Sequence, residues 1–225
     1  LKPEKARVFG SIKFDITPTE EQLNKVAALK TQYNNERFIW VAGSTHPIEH
    51  ELILTAHKKL LKALPNALLI IAPRHPEQFD KVAEVIKSSN MSFSRRSEDN
   101  YNNQQVVLAD TLGELQCLYG VANISYVGGS LIERGGHNPL ESAAFSVGVL
   151  AGPHTYNFDH IYPELISAQG AKTVTDENHL ADTLIALSSD AQETIKLGQQ
   201  AAKCVANNQG AISKTVNLIE HYLEK

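Results

Sequence analysis

The sequence lacks the marks of a disulfide framework, a membrane span or a nucleic-acid surface. Its two cysteines, Cys117 and Cys204, fall in helical patterns without metal-ligand spacing, which predicts free thiols of a reducing compartment. No apolar run approaches the ~18 residues that a bilayer span needs, and no signal-peptide pattern is present. The first residue is Leu1, not Met, so the sequence reads as a piece of a longer protein. A net charge of −4 argues against a general nucleic-acid surface, so any anion site must be local. G-x-S-x-G, Walker and G-x-G-x-x-G patterns are all missing, which removes the main support for a serine hydrolase, a P-loop enzyme or a standard dinucleotide fold. With 42% hydrophobic and 20% charged residues, the chain is expected to bury a sizeable core.

What is present is regular. Continuous apolar runs at 38–42, 67–72, 105–109, 123–127, 147–151 and 171–174 predict buried strands, with a short edge strand at 91–93. Amphipathic segments at 19–34, 47–64, 76–88, 111–120, 139–145 and 157–168, and most of the chain after 174, predict helices. Residues 98–104 read as a polar turn and 1–16 as a linker or first strand. Buried strands alternating with helices mean an α/β fold with a Rossmann-like parallel sheet covered on both faces. Ligands of such sheets bind at the carboxyl ends of the strands. Five polar loops directly follow strands, at 43–47, 73–76, 110–114, 128–141 and 152–158, and all should open on one rim.

The 128–141 loop, G-G-S-L-I-E-R-G-G-H-N-P-L-E, is the most demanding of them. Its four glycines suit bare backbone held against a ligand. Its end reads as a helix start, with Asn138 at N-cap, Pro139 at the first position and Glu141 at N3, an arrangement that favours anions. Glu141 is also a good acceptor for two ribose hydroxyls. Arg74, between two prolines, reads as a phosphate clamp. Thr111 and Glu114 match a capping box, with Gly113 the misfit: either a ligand ring rests there or the position is purely structural. Glu133 and Arg134 read equally as a solvated pair. Trp40 and Tyr126 read as core. Asn157 is positioned to cap the helix that follows it. H-P-I-E-H at 46–50 matches the H-x-x-E-H zinc pattern, which would make His46, Glu49 and His50 the ligands and base of a hydrolase. The preferred reading starts the helix at Pro47, which leaves His46 in the loop and His50 solvated.

These clusters carry a resemblance. S-I-K-F-D (11–15), W-V-A-G-S-T-H-P (40–47), L-I-I-A-P-R-H-P-E (69–77), L-A-D-T-L-G-E-L (108–115), V-G-G-S-L-I-E-R-G-G-H-N-P-L-E (127–141) and G-P-H-T-Y-N-F (152–158) together resemble the carboxyl-terminal domain of 3-deoxy-D-manno-octulosonic acid (Kdo) transferases. The resemblance implies the donor half of a GT-B glycosyltransferase of lipopolysaccharide synthesis, binding CMP-Kdo without metal or cofactor. Pro73, Arg74, Leu112, Gly113, Glu114, Asn138, Pro139, Leu140 and Glu141 would contact CMP. Ser44, Thr45, His75, Gly129, Ser130 and His137 are further candidates for the donor.

The resemblance further implies that a lipid A precursor is the acceptor. The acceptor, the membrane contact at the cytoplasmic face of the bacterial inner membrane and the catalytic glutamate would belong to an amino-terminal domain outside this sequence, so the piece alone would transfer nothing. Residues 1–16 would link to that domain and 17–208 would bind the donor. Residues 209–225 would turn Ile212, Val216, Ile219 and Leu223 toward it. An epimerase or a UDP-sugar transferase on the same fold is the alternative. The family pattern has glycine where this chain has Ile48, an acidic residue at His50, methionine at Leu112, proline at Ser142 and asparagine at Ser11.

Overall fold

A computed structural model describes residues 6–33, 36–98 and 103–223. Its strands are β1 Ile39–Thr45, β2 Leu68–Pro73, β3 Phe93–Arg95, β4 Val106–Leu108, β5 Ile124–Val127, β6 Gly148–Ala151 and β7 Ala171–Thr173. They form one sheet in the order β3-β4-β2-β1-β5-β6-β7, and every pairing is parallel. The fold is therefore the expected Rossmann-like α/β sheet. The strand order reverses between β1 and β5, which puts the crevice of the sheet at their carboxyl ends.

Alternate strand residues feed two cores, which is why the strands read as unbroken apolar runs. Ile39, Val41, Leu68 and Ile70 face one layer. It contains α1 Glu20–Gln32, α4 Leu115–Val121, α5 Leu140–Ala143, α6 Tyr162–Ser167 and α8 Ala191–Asn208. Trp40, Ala42, Leu69 and Ile71 face the other, which holds α2 Glu49–Ala63, α3 Phe79–Ser88 and α7 Glu177–Ser189. Trp40 and Tyr126 are fully buried. Trp40 Nε1 donates to His57 Nδ1 at 3.0 Å, and the other ring nitrogen of His57 lies 2.9 Å from the Gln105 carbonyl, so the ring ties α2 to β1 and to the entry of β4.

Several boundaries differ from the sequence reading. No strand forms in the described part of 1–16, where a single 3-10 turn, Ile12–Phe14, is present. Asp15 instead accepts from the backbone nitrogens of Gly210 and Ile212, and so caps α9 Ala211–Leu223, while the Gln209 amide donates to the Ile16 carbonyl at 2.8 Å. The helix expected at 157–168 splits into a 3-10 turn, Tyr156–Phe158, and α6. Asn157 caps neither: its Nδ2 donates to the carbonyls of Arg134 and Gly136 at 2.8 and 3.3 Å, lacing the 152–158 loop to the glycine loop. The predicted polar turn at 98–104 lies partly outside the described residues, as do the end of the predicted 19–34 helix and the last two residues of 209–225.

Candidate functional site

The loop after β1 is not a free loop. Gly43, Ser44 and Thr45 complete the strand, with a register shift between Gly43 and Thr45 and Ser44 in the left-handed region at φ 54°. Pro47 does not open α2. The helix starts at Glu49, after Ile48 takes φ 78°, so His46 stands three residues before it. His50 is not solvated. It is buried, its Nε2 lacks a partner among the described residues, and burial lowers its pKa.

Glu49 explains the region. Its carboxylate is fully buried and accepts from His46 N (3.1 Å) and Gly129 N (2.8 Å) through Oε2. Through Oε1 it accepts from Tyr126 Oη (2.7 Å), Ser130 N (3.1 Å) and Leu131 N (3.2 Å). The glycine loop after β5 thus wraps an anion that the protein supplies itself. Five donors on one carboxylate leave no lone pair for a metal and no freedom to act as a base. Among the described residues no group of three or more His, Cys, Asp or Glu is arranged to hold a metal.

Gly129 and Ser130, expected at the donor, are consequently committed elsewhere. Their N–H groups bind Glu49, and the Ser130 hydroxyl donates to the Val127 carbonyl at 2.6 Å and accepts from Gly152 N at 2.8 Å. Glycine is needed at 128 for close approach, since a Cβ there would lie 2.4 Å from the Ser44 carbonyl oxygen.

A second group of expected residues does come together. Ser44, Pro73, Arg74, Leu112 and Gly113, with Phe79, which the sequence did not single out, line a hollow of about 120 Å³ at the carboxyl ends of β1, β2 and β4. Arg74 is exposed, with no ion-pair partner among the described residues. Gly113 is at φ 78° with open space around it, which accounts for glycine by backbone conformation without a ligand. The N–H groups of Leu112, Gly113 and Glu114 have no protein acceptor among the described residues.

The Thr111–Glu114 capping box does not form. The Thr111 hydroxyl donates to the Glu114 carboxylate itself, Lys25 bridges to it at 2.7 Å and Arg96 at 3.3 Å, and the helix starts only at Leu115. Burial pulls the Glu114 pKa up, but these donors outweigh it and hold the carboxyl below its ordinary value. Thr45 points inward, its hydroxyl buried without a partner among the described residues. A larger depression of about 240 Å³ beside Lys172 and Glu193 lies on the α6–α8 side, away from the strand rim.

The helix start at Asn138 is partly as expected. Asn138 Oδ1 accepts from Leu140 N at 3.1 Å, but α5 is a single turn, so its dipole adds little beyond its free N–H groups. Burial raises the Glu141 pKa, opposed by hydrogen bonding with Asn138 and by the charge of Arg74. Arg74, on the turn after β2, is thus one of the charges that act on Glu141. His46 and His137 pair, with Nε2 to Nε2 at 2.7 Å and near-parallel rings, and His75 sits edge-on to His46. The sequence reading placed His46 in the loop but not at the donor site, and nothing in its spacing marks it as the partner of a residue 91 positions away.

Comparison with known proteins fits this geometry. No family model matches the chain. The 3-deoxy-D-manno-octulosonic acid transferase of Haemophilus influenzae is 41% identical over 228 residues, covering 99% of this chain and 53% of that protein. A solved structure, the C-terminal CMP-Kdo binding domain of WaaA from Acinetobacter baumannii, is 34% identical with a TM-score of 0.78, covering 83% of this chain and 99% of that domain. The chain belongs to the 3-deoxy-D-manno-octulosonic acid transferase family. It spans about half the length of the curated relatives it matches. The UDP complex of MnaA from Staphylococcus aureus shares the fold alone, at 18% identity and a TM-score of 0.66. Among the described residues of this chain no helix is long and apolar enough to cross a membrane.

Proposed function

We propose that this chain is the donor-binding domain of a Kdo transferase, holding CMP-Kdo for transfer to a lipid A precursor bound by the rest of a longer protein. The observation that carries the reading is the guanidinium of Arg74, which lines the hollow at the crevice of the sheet and has no ion-pair partner among the described residues. Arg74 supplies a charge-assisted bond to phosphate. The free N–H groups of Leu112, Gly113 and Glu114 suit the cytosine edge, Pro73 and Leu112 its faces, and Glu141 the ribose hydroxyls. Asn138, Pro139 and Leu140 hold Glu141 in place. Ser44 lines the same hollow, and His75 follows Arg74 on the turn after β2.

A hollow of about 120 Å³ forms one wall of a nucleotide site and cannot enclose a nucleotide. An acceptor-binding half closing over it would complete the site and bring the catalytic base and the membrane contact. Residues 17–208 are the donor unit in this reading. The exposed apolar face of α9, formed by Ile212, Val216, Ile219 and Leu223, is where the chain would meet the other half. The chain alone would bind donor and transfer nothing.

Thermal shift with CMP, UMP and UDP at one concentration tests the reading, because the tighter-binding ligand stabilises more. CMP should raise Tm most, and Arg74→Ala should weaken CMP by roughly 30-fold at unchanged Tm. A preference for UDP, or equal CMP affinity in the variant, rejects it.

A further inference from the structure

The two rings at the switch point form a unit of their own. His46 ends the β1 turn and His137 precedes α5, so the pair spans the crevice between β1 and β5. Their Nε2 atoms are 2.7 Å apart, so one ring donates and the other accepts, and the pair holds a single proton between those two nitrogens. Basic side chains surround it. Arg74 and His75 from the β2 turn act on both rings, and Arg134 of the glycine loop and His50 of α2 are electrostatically coupled to His46. Among the described residues the one carboxylate acting on the pair is Glu49, whose oxygens are already shared among five donors. Burial and these like charges lower the pKa of His46 and push that of His137 down to about 4, so the empty pair is neutral. The arrangement has many donors around it and, among the described residues, no free counterion.

We propose that His46 and His137, with Arg74 beside them, form a carboxylate subsite that takes up one proton from solvent when the sugar acid of the donor binds. The proposal rests on the donor reading above. In a CMP-activated ulosonic acid, phosphate and carboxylate sit on the same anomeric carbon. Arg74 lines the nucleotide hollow and also acts on both rings. A phosphate at Arg74 therefore leaves the neighbouring carboxylate facing the pair. The second proton breaks the contact between the two nitrogens, and each ring then donates an N–H to the carboxylate. No covalent bond changes. The ligand preference is for a carboxylate-bearing sugar, which distinguishes this donor from neutral nucleotide sugars.

The test is calorimetry on the chain in PIPES and in Tris, whose ionisation heats differ. CMP is titrated first, then free Kdo into CMP-saturated protein, then the Kdo methyl ester. Kdo should bind with uptake of about one proton at pH 7 and should weaken by about tenfold per pH unit as pH rises. The ester should bind at least tenfold more weakly, and His46→Gln or His137→Gln should abolish the uptake. Absence of Kdo binding to CMP-loaded protein, binding without uptake, or equal affinity for the ester overturns the subsite and leaves the nucleotide reading intact. Failure of CMP itself to bind takes down the donor reading, and the subsite with it. The uptake measured on the unaltered chain decides the matter even if both variants fail to fold.

Discussion

The carboxylate of Glu49 sits 2.8 Å from the backbone nitrogen of Gly129 and binds it as a bound anion would. The pattern that suggested a zinc hydrolase is thus a structural clasp between the start of α2 and the glycine loop. The carboxylate links residues up to 82 positions apart in the chain and fixes the turn from which His137 and Asn138 emerge.

Glu49→Gln keeps the volume but turns an amide NH2 toward N–H donors. At least one donor then loses its acceptor in a buried setting, at a cost of about 3 kcal/mol. For a domain of this size that is a Tm fall of roughly 10 °C. Urea unfolding of the two forms measures it; a change below about 1 kcal/mol would mean the loop is held by its own conformation.

Glu141 is held in the opposite balance. Burial raises its pKa, so the ionised form is unfavourable in the folded chain and stability increases as pH falls through the raised value. Glu141→Gln removes that cost, and the empty chain should be equally stable or more stable than the parent at pH 8. CMP should bind the variant about tenfold more weakly, since a charged acceptor for the ribose is lost. Paired thermal-shift and calorimetric measurements check both signs, and a variant that loses stability with CMP affinity unchanged contradicts the assignment.

The architecture was legible because buried parallel strands announce themselves as apolar runs, and their carboxyl ends could be named from the chain direction alone. Arg74 and Gly113, read that way, do line one hollow at those carboxyl ends. The misses share a cause: a distant partner outbids a local pattern. Thr111 and Glu114 fit a capping box, but Lys25 from α1 and Arg96 from the β3 turn claim the carboxylate. Asn157 fits a cap, but the carbonyls of Arg134 and Gly136 claim its amide. His50 sits on a helix that sequence periodicity makes amphipathic, yet the late start of α2 turns it inward.

Ile48 is a β-branched residue at φ 78°, with its side chain 68% exposed. Left-handed backbone costs a non-glycine residue about 1–2 kcal/mol, and an exposed side chain returns little of it. The family resemblance has glycine at this position. Ile48→Gly should therefore stabilise the chain by about 1 kcal/mol, a Tm rise of roughly 2–4 °C. Loss of stability in thermal unfolding would show that packing of Ile48 outweighs the backbone strain.

The buried His57 makes the fold acid-sensitive in a defined window. Its ring accepts from Trp40 Nε1 and donates to the Gln105 carbonyl, so only the neutral form satisfies both partners. Burial pushes its pKa from 6.5 down to about 4, opposed by the bond to Gln105. Between those values the unfolded chain binds a proton that the folded chain refuses, so stability rises with pH across the window. The contribution is complete above pH 6.5 and lost as pH falls toward 4, a change on the order of 3 kcal/mol. His46 and His137 titrate with the same sign, so the parent alone does not isolate the residue. The difference between parent and His57→Gln does. The variant is less stable at pH 7 because the bridge is gone, but its stability should depend on pH by one proton fewer between 4 and 6.5. Urea midpoints at half-unit pH steps measure this, and equal slopes in the two proteins would mean that His57 enters the folded state already protonated.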